Sequence, residues 1–176
     1  MKTLPLLCAA LVGLAGCVSA QAPGAGGGAP VQPHGSAGAA APASVRLSGA
    51  VQAPRTLDLA ALKSLPVTRV ELDGQRHAGV SLWALLNAQG GLAIPASPRN
   101  AALGYYVVAT GSDGYQAVFS LAELDPGIGE RPVLVAYELD GAPLDRSGMA
   151  RLVVPGDKKR GRWVANLSGL EVRAAR

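Results

Sequence analysis

Alternating apolar and polar positions predict short β-strands through residues 45–176. Residues 45–51 and 67–72 alternate as half-buried strands do, and Asp73-Gly74 is a typical hairpin turn before a strand that returns to Val80. The other predicted strands cover residues 105–110, 115–120, 133–137, 152–154 and 170–172. The segment 133–137 is almost continuously apolar, which is typical of a strand buried on both faces.

Helical spacing is confined to three short segments. Asp58 can cap a helix over residues 59–65, which Pro66 ends. Ser81 can cap a second helix over residues 82–89, ended by Gly90-Gly91, and residues 121–124 form one more helical turn. Many short strands with few short helices predict an α+β fold rather than a parallel, doubly wound sheet.

The first residues have the pattern of an export signal. Lys2 precedes an apolar run over residues 4–18 that is too short to span a bilayer core of about 30 Å. Residues 14–17, Leu-Ala-Gly-Cys, look like a bacterial lipobox, which predicts a signal peptide over residues 1–17 and lipidation of Cys17. The alternative is ordinary cleavage after Ala20. The lipobox is favoured because it is the narrower pattern, and either cleavage sends the chain across the inner membrane.

Residues 18–44 change in composition. Of these 27 residues, 19 are Ala, Gly or Pro and none is charged, which predicts a disordered tether with a span of about 30 Å. The expected location is therefore the cell envelope, facing the periplasm and anchored to the membrane by lipid on Cys17. Val18 stands where an aspartate would signal retention, which favours the outer membrane. Cleavage after Ala20 would instead give a soluble periplasmic or secreted protein.

Cysteine content and charge limit the possible partners. The chain has two cysteines, Cys8 and Cys17, so the domain at residues 45–176 has no disulfide and depends on its core. The formal net charge is +4, and it falls to +3 when Lys2 leaves with the signal. Because this charge is mild and the chain is exported, we expect no nucleic-acid partner.

An ordered set of short motifs runs through residues 45–176. Its members are Gly79-Val80-x-Leu82-x-x-Leu85-Leu86, Ser112-Asp113-Gly114-Tyr115, Leu134-Val135-Ala136-Tyr137-x-x-Asp140-Gly141, and the block Gly148-Met149-Ala150-Arg151-Leu152-Val153-Val154-Pro155-Gly156 followed by Trp163-Val164-Ala165-Asn166-Leu167. In this order they resemble the sulfite-oxidase-type molybdopterin-binding oxidoreductase domain. The resemblance implies mixed, mostly β sheets with short helices and a molybdopterin cofactor.

The same resemblance shows which of the family's contacts this chain lacks. The family's molybdenum-ligating cysteine precedes the Gly-Val-x-Leu motif, but residues 67–79 offer Asp73, Gln75, Arg76 and His77 and no thiol. A histidine and a lysine of the family correspond to Ser147 and Ala165. Arg151 is retained, and in the family this arginine contacts the region of the pterin phosphate.

The basic loop at residues 158–162 adds further candidates. Guanidinium groups suit phosphate and carboxylate, so Arg151 and Arg162 are the predicted cofactor- or anion-binding residues. Lys158 and Lys159 are interpreted as a solvated turn. His77 could act as a general base, but no nucleophile lies beside it in sequence, and one histidine in the domain does not make a metal cluster.

Three functional hypotheses remain open. The first is a non-redox binding or interaction module with an anion- or pterin-binding pocket, or with a periplasmic protein partner. The second is a molybdopterin-dependent oxidoreductase with an atypical metal site, in which the dithiolene alone or Asp73 holds the metal. The third is a structural envelope lipoprotein with no ligand pocket.

Overall fold

The structure is a computed structural model that describes residues 41–97, 99–144 and 146–175. The predicted signal peptide, Cys17 and residues 18–40 of the predicted tether lie outside the described residues. The last part of the predicted tether reaches the domain, because the carbonyl of Pro42 accepts a hydrogen bond from the amide of Met149 at 3.4 Å. Within the described ranges, no helix has the length and apolar character needed to cross a membrane.

The described residues form strands and short helices in an α+β arrangement, as predicted. The strands are β1 (Val45–Gly49), β2 (Arg55–Leu57), β3 (Thr68–Leu72), β4 (Gln75–Ser81), β5 (Tyr105–Gly111), β6 (Gln116–Ser120), β7 (Leu134–Leu139), β8 (Ala142–Pro143), β9 (Arg151–Val153) and β10 (Leu167–Ala174). The α-helices are α1 (Leu59–Lys63), α2 (Leu82–Leu85) and α3 (Leu121–Leu124). A π turn covers Leu86–Gly90, and 3-10 turns cover Ala101–Gly104 and Arg160–Arg162.

Two sheets share one hydrophobic core. The first sheet has the order β2-β1-β10-β5-β6, with β1 and β10 parallel and the other pairs antiparallel. The second has the order β3-β4-β7-β8, and β9 also pairs with β7. Leu47 and Leu170 from the first sheet and Leu134 and Leu152 from the second are fully buried in the same cluster. Truncating one such leucine to alanine costs about 2–5 kcal/mol, so this core supports the fold without a cross-link.

Two tight hairpins in the second sheet follow directly from Asx-Gly sequences. Asp73 and Gly74 have φ of 52° and 74°, and Asp140 and Gly141 have φ of 52° and 83°. Positive φ at both central residues gives the two-residue turn that matches strand twist, so the turn predicted at Asp73-Gly74 is confirmed. Asp140 also exchanges hydrogen bonds of 2.8 Å with the backbone of Arg76, which fixes this turn beside β4.

A bulge in the pairing of β4 with β7 depends on Gly79. The register shifts between Ala78 and Gly79, and a Cβ at Gly79 would collide with the carbonyl of Val135. Glycine therefore permits the close approach of the two backbones. The side chain of His77 on β4 is buried, and the residue lies directly before the pair at which the register shifts.

Several predicted boundaries were wrong. The helix predicted over residues 82–89 is α2 followed by the π turn, because the amides of Gln52 and Ala53 bind the carbonyls of Gly91 and Gly90 and hold the widened end. The strand predicted to reach Val51 ends at Gly49, where φ is 86°.

Two strands were not predicted from the pattern of the sequence. They are β2, which has three residues, and β8, which has two. Strands this short show too few alternations to stand out from a loop.

Candidate functional site: a cationic cluster around Trp163

Trp163 lies at the centre of the candidate site. It follows the 3-10 turn Arg160–Arg162, and its amide closes that turn on the carbonyl of Arg160 at 3.0 Å. The indole is 9% exposed, and its Nε1 donates to the carbonyl of Val154 at 3.3 Å. A buried indole with its only donor satisfied is a fixed platform for the groups that pack against it.

Two guanidinium groups lie over the Trp163 ring. The Cζ of Arg151 is 5.2 Å from the ring centroid, and the Cζ of Arg160 is 4.8 Å from it. A cation at this distance from an indole face gains about 0.5–2 kcal/mol, more as it loses water. The same ring therefore contacts two like charges, and the charge of Arg160 is felt at Arg151, where it lowers the pKa of the guanidinium after the larger effect of burial.

Arg151 is a half-buried cation without a counter-ion among the described residues. It begins β9, where it pairs with Ala136 of the central strand β7. Its Nε is buried and has no hydrogen-bond partner, and no described carboxylate forms an ion pair with it. Burial, and then the charge of Arg160, lower the pKa of the Arg151 guanidinium. Because the ordinary pKa of arginine lies far above neutral pH, the group stays charged despite this lowering. Its charge is therefore left uncompensated by any described carboxylate.

Arg160 is the accessible member of the cluster. Its side chain is 56% exposed and reaches Asp73, which is 73% exposed, with an Nη2–Oδ2 distance of 2.5 Å. An exposed ion pair contributes about 0–1 kcal/mol, because water competes for both groups. Arg160 can therefore exchange the carboxylate of Asp73 for another anion at little cost.

His77 completes the cluster from β4. It is 2% exposed, and its ring meets the Trp163 ring edge-on at a centroid distance of 5.7 Å. Its Nδ1 is buried without a partner among the described residues. Burial first, and then the charge of Arg151, lower the pKa of His77 below its usual 6.5. The imidazole is therefore neutral at neutral pH, and no described nucleophile bonds to it.

Arg162, the second arginine predicted for the site, lies in a different environment. Its Nε and Nη2 each donate to Asp157 at 2.8 Å, and its Nη1 donates to Glu123 at 3.2 Å. Arg131 contacts the same two carboxylates, and the four side chains form what we call the Arg162 network. The guanidinium lies over Phe119 rather than Trp163, with Cζ 5.0 Å from the ring centroid. Its charge is thus already paired.

The other positions implied by the family resemblance provide no polar side-chain contact to the cluster. Ser147 supplies its carbonyl to the amide of Asn166 at 2.9 Å, and Ala165 has no polar side chain. Lys158 and Lys159 are exposed, as expected of a solvated turn.

The donor atoms present do not suit a thiolate-bound molybdenum. Among residues 67–79 there is no thiol, and Asp73 is engaged with Arg160. Across the described ranges, no three His, Cys, Asp or Glu side chains converge where they could hold a metal ion. Carboxylate and imidazole differ from thiolate in softness and charge, so the expected ligand field is not reproduced. Arg151 and Arg160 do suit a phosphate or carboxylate group.

Arg160 and Trp163 were missed by analysis of the sequence. Arg162 was the arginine predicted from the basic loop, whereas the structure brings Arg160 to the cluster with Arg151. The signal available was the three-residue spacing between Arg160 and Trp163, since residues i and i+3 of a 3-10 turn lie above each other. His77 was noticed, but its burial beside two arginines depends on sheet pairing between distant segments.

Comparisons with known proteins agree with this fold at a distance. No protein-family model and no curated protein matches the chain. Among solved structures, it is similar to the sulfane dehydrogenase SoxCD from Paracoccus pantotrophus, with 20% sequence identity and a TM-score of 0.58. The match covers 74% of this chain and 38% of that chain, so this chain spans well under half of it. The chain therefore has a distant sulfite-oxidase-like fold.

Proposed function

We propose that this domain is a non-redox binding module that takes an anionic group at the cluster formed by Arg151, Arg160, Trp163 and His77. The observation that carries the proposal is Arg151, a half-buried guanidinium with an unpartnered Nε and no described counter-ion. A buried charge without a partner is costly, and an anion bound beside it would offset that cost. Arg160 lies on the same ring and is exposed enough to guide the anion in.

The ligand class is a small oxyanion or the phosphate or carboxylate end of a larger molecule. Guanidinium forks bind such planar or tetrahedral oxygen groups through two parallel hydrogen bonds. Asp73 already shows this preference, because its carboxylate is held by Arg160. A ligand anion would displace Asp73 and gain the second guanidinium of Arg151.

The absence of a thiol in residues 67–79 supports the non-redox part of this proposal. The chemistry that the family draws from its cysteine-bound metal has no equivalent donor here. We further propose that the module is exported and anchored by lipid on Cys17, with residues 18–44 holding it clear of the membrane. The support for this is the lipobox and the composition of the segment that follows it.

The second candidate function is a molybdopterin-dependent oxidoreductase with an atypical metal site. The fold likeness to a sulfane dehydrogenase favours it, since the same scaffold serves an enzyme there. In this case Arg151 and Arg160 would hold the cofactor's phosphate, while no described side chain fits the role of the metal-binding thiolate. The donor atoms of the chain thus support this function less well than anion binding.

Anion binding is tested by titrating the purified protein with sulfate, phosphate and acetate at constant ionic strength. We expect saturable sulfate binding that is lost in Arg151→Met and retained in the charge-matched control Lys158→Gln, since Lys158 is an exposed residue outside the cluster. Equal weakening in both variants would mean that only the net charge matters and would contradict a built site.

The two candidate functions are separated by metal analysis of the protein isolated from a host that makes molybdopterin. The binding module predicts no stoichiometric molybdenum and no pterin fluorescence. About one molybdenum per chain would overturn the non-redox proposal. Its loss in Arg151→Met would then place the cofactor's phosphate at this cluster.

A further inference from the structure

The imidazole of His77 is the one titratable group of the cluster that can change charge near neutral pH. It lies on β4 with 2% exposure, in edge contact with Trp163, and its Nδ1 has no partner among the described residues. Arginine does not release its proton in this range, whereas histidine does. Any proton exchanged by the cluster near neutral pH therefore passes through His77.

Three charged groups from separate elements act on His77, while the neighbouring strand β3 places the apolar Val70 opposite it. Arg151 from β9 and Arg160 from the 3-10 turn both disfavour the imidazolium, while Asp140 in the β7–β8 turn favours it. Asp140 is tied to the backbone of Arg76, and Asp73 is paired with Arg160, so neither carboxylate moves freely to His77. Burial lowers the pKa of His77 more than either arginine does, and together these effects keep His77 neutral at neutral pH in the free site.

We propose that His77 couples anion binding at this cluster to the uptake of a proton, so that the site takes an anion and a proton together. The proposal rests on the proposed function, because it needs an anion at Arg151 and Arg160. An anion there offsets the two positive charges that oppose the imidazolium, and a nearby negative charge favours the protonated form. The proton comes from solvent, adds to a ring nitrogen of the imidazole, and returns to solvent when the anion leaves.

Linkage gives this coupling a direction that can be measured. If anion binding favours protonation of His77, protonation must strengthen anion binding by the same factor. Affinity for the anion should therefore rise as pH falls through the range where the free imidazole begins to titrate. The upper limit is about one proton taken up for each anion bound, since the described part of the cluster contains one histidine.

The first test is calorimetry of sulfate binding to the whole protein in two buffers of different ionisation enthalpy. Sulfate keeps its double charge from about pH 5 to about pH 8, where histidine titrates, so the ligand contributes no proton change. We expect a fraction of one proton taken up per sulfate, largest at pH values between the lowered pKa of His77 in the free protein and its higher pKa in the complex, and absent in His77→Gln. Sulfate binding without proton uptake would overturn the coupling and leave the proposed function intact. No sulfate binding at all would overturn both.

The second test uses the unmodified protein and does not depend on the folding of a variant. The chain has two histidines, His34 and His77, so NMR should resolve two ring titrations, with His34 as an internal reference. We expect sulfate to raise the apparent pKa of His77 and leave that of His34 unchanged. An unmoved His77 under saturating sulfate, or an equal shift of both rings, would contradict the proposal. The exposed variant Arg160→Gln should raise the pKa of His77 without sulfate, and Lys158→Gln should not.

Discussion

Two arginines eleven residues apart in this chain, Arg151 and Arg162, have opposite electrostatic environments. Arg162 lies over Phe119 and donates to Asp157 and Glu123, and these two carboxylates, Asp157 first, raise its pKa. Arg151 lies over Trp163 beside another guanidinium, and burial without a counter-ion lowers its pKa. Both are partly buried, and both lie over an aromatic ring. The difference is whether the protein supplies the anion.

That difference separates a structural role from a binding role. Carboxylates in the Arg162 network satisfy its charge within the fold, so nothing further is required there. The cluster of Arg151, Arg160, Trp163 and His77, which we call the Trp163 cluster, instead leaves a positive charge that a bound anion can neutralise. A fold can tolerate such a charge where function requires it and where the rest of the core provides enough stability. Each region is therefore a control for the other.

The largest effect is expected from breaking the Arg162 network. Arg162→Met removes the two 2.8 Å hydrogen bonds to Asp157 and one donor of Glu123, and hydrogen bonds to charged groups contribute about 1.5–3 kcal/mol. We expect the free energy of unfolding in urea to fall by about 2 kcal/mol. Arg131→Met, at the exposed rim of the same network, should cost about 1 kcal/mol or less. Equal losses in the two variants would show that Arg162 is not the centre of the network.

A smaller effect appears when the same network is titrated with acid. Hydrogen bonding to Arg162 holds the pKa of Asp157 below its ordinary 3.8. The folded protein therefore binds this proton less readily than the unfolded chain, so the stabilisation is present above the unfolded pKa and is lost as pH falls through the folded one. Urea unfolding at about pH 6 and about pH 3 should show a smaller acid loss in Asp157→Asn than in the unmodified protein. The same loss in both proteins would refute this assignment.

The Trp163 cluster should respond to pH in a different range. The pKa of His77 is lowered by burial and by Arg151, so the unfolded chain binds this proton more readily than the folded one. The stability that depends on a neutral His77 is fully present above about pH 6.5, the ordinary pKa of histidine, and it declines as pH falls from there towards the pKa in the folded protein. We expect this mild-acid decline to disappear in His77→Gln and to persist in Asp157→Asn. A decline unchanged by His77→Gln would place the titrating group elsewhere.

The smallest effect on stability is expected from Arg151→Met, although the same substitution is made as in Arg162→Met. Removing a half-buried cation without a partner removes its desolvation cost together with its contact to Trp163, and these terms oppose each other. The free energy of unfolding should change by about 1 kcal/mol or less. A loss as large as that in Arg162→Met would mean that Arg151 has a structural counter-ion, which would undermine the anion site.

Much of the fold follows from local features of the sequence. The Asp73-Gly74 hairpin and the Asp58 cap come from interactions within a few residues, and both were predicted. The π turn at Leu86–Gly90 was missed, because it is held by amides of Gln52 and Ala53 in a distant segment. The same distinction applies to β2 and β8, whose length is set by pairing partners rather than by their own pattern.

The candidate site was predictable in part for the same reason. Arg151 stood out because the resemblance assigned it a phosphate contact, and the structure shows it without a counter-ion among the described residues. Whether Arg160 or Arg162 would join it depends on the direction of each side chain from one 3-10 turn, which composition does not reveal. Burial of His77 depends on the pairing of β4 with β7. Sequence therefore indicated a basic site, and tertiary packing selected its members.

The most direct test of the central claim uses the two tryptophans of the chain, Trp83 and Trp163. The Trp163 ring lies under both arginines and its Nε1–H donates to the carbonyl of Val154, whereas neither arginine lies over the ring of Trp83. NMR of the two indole signals during a sulfate titration at constant ionic strength should show a saturable shift of Trp163 and a stationary Trp83. Loss of the shift in Arg151→Met would complete the agreement. Two stationary signals, or two that move together in proportion to salt, would contradict an anion site at this cluster.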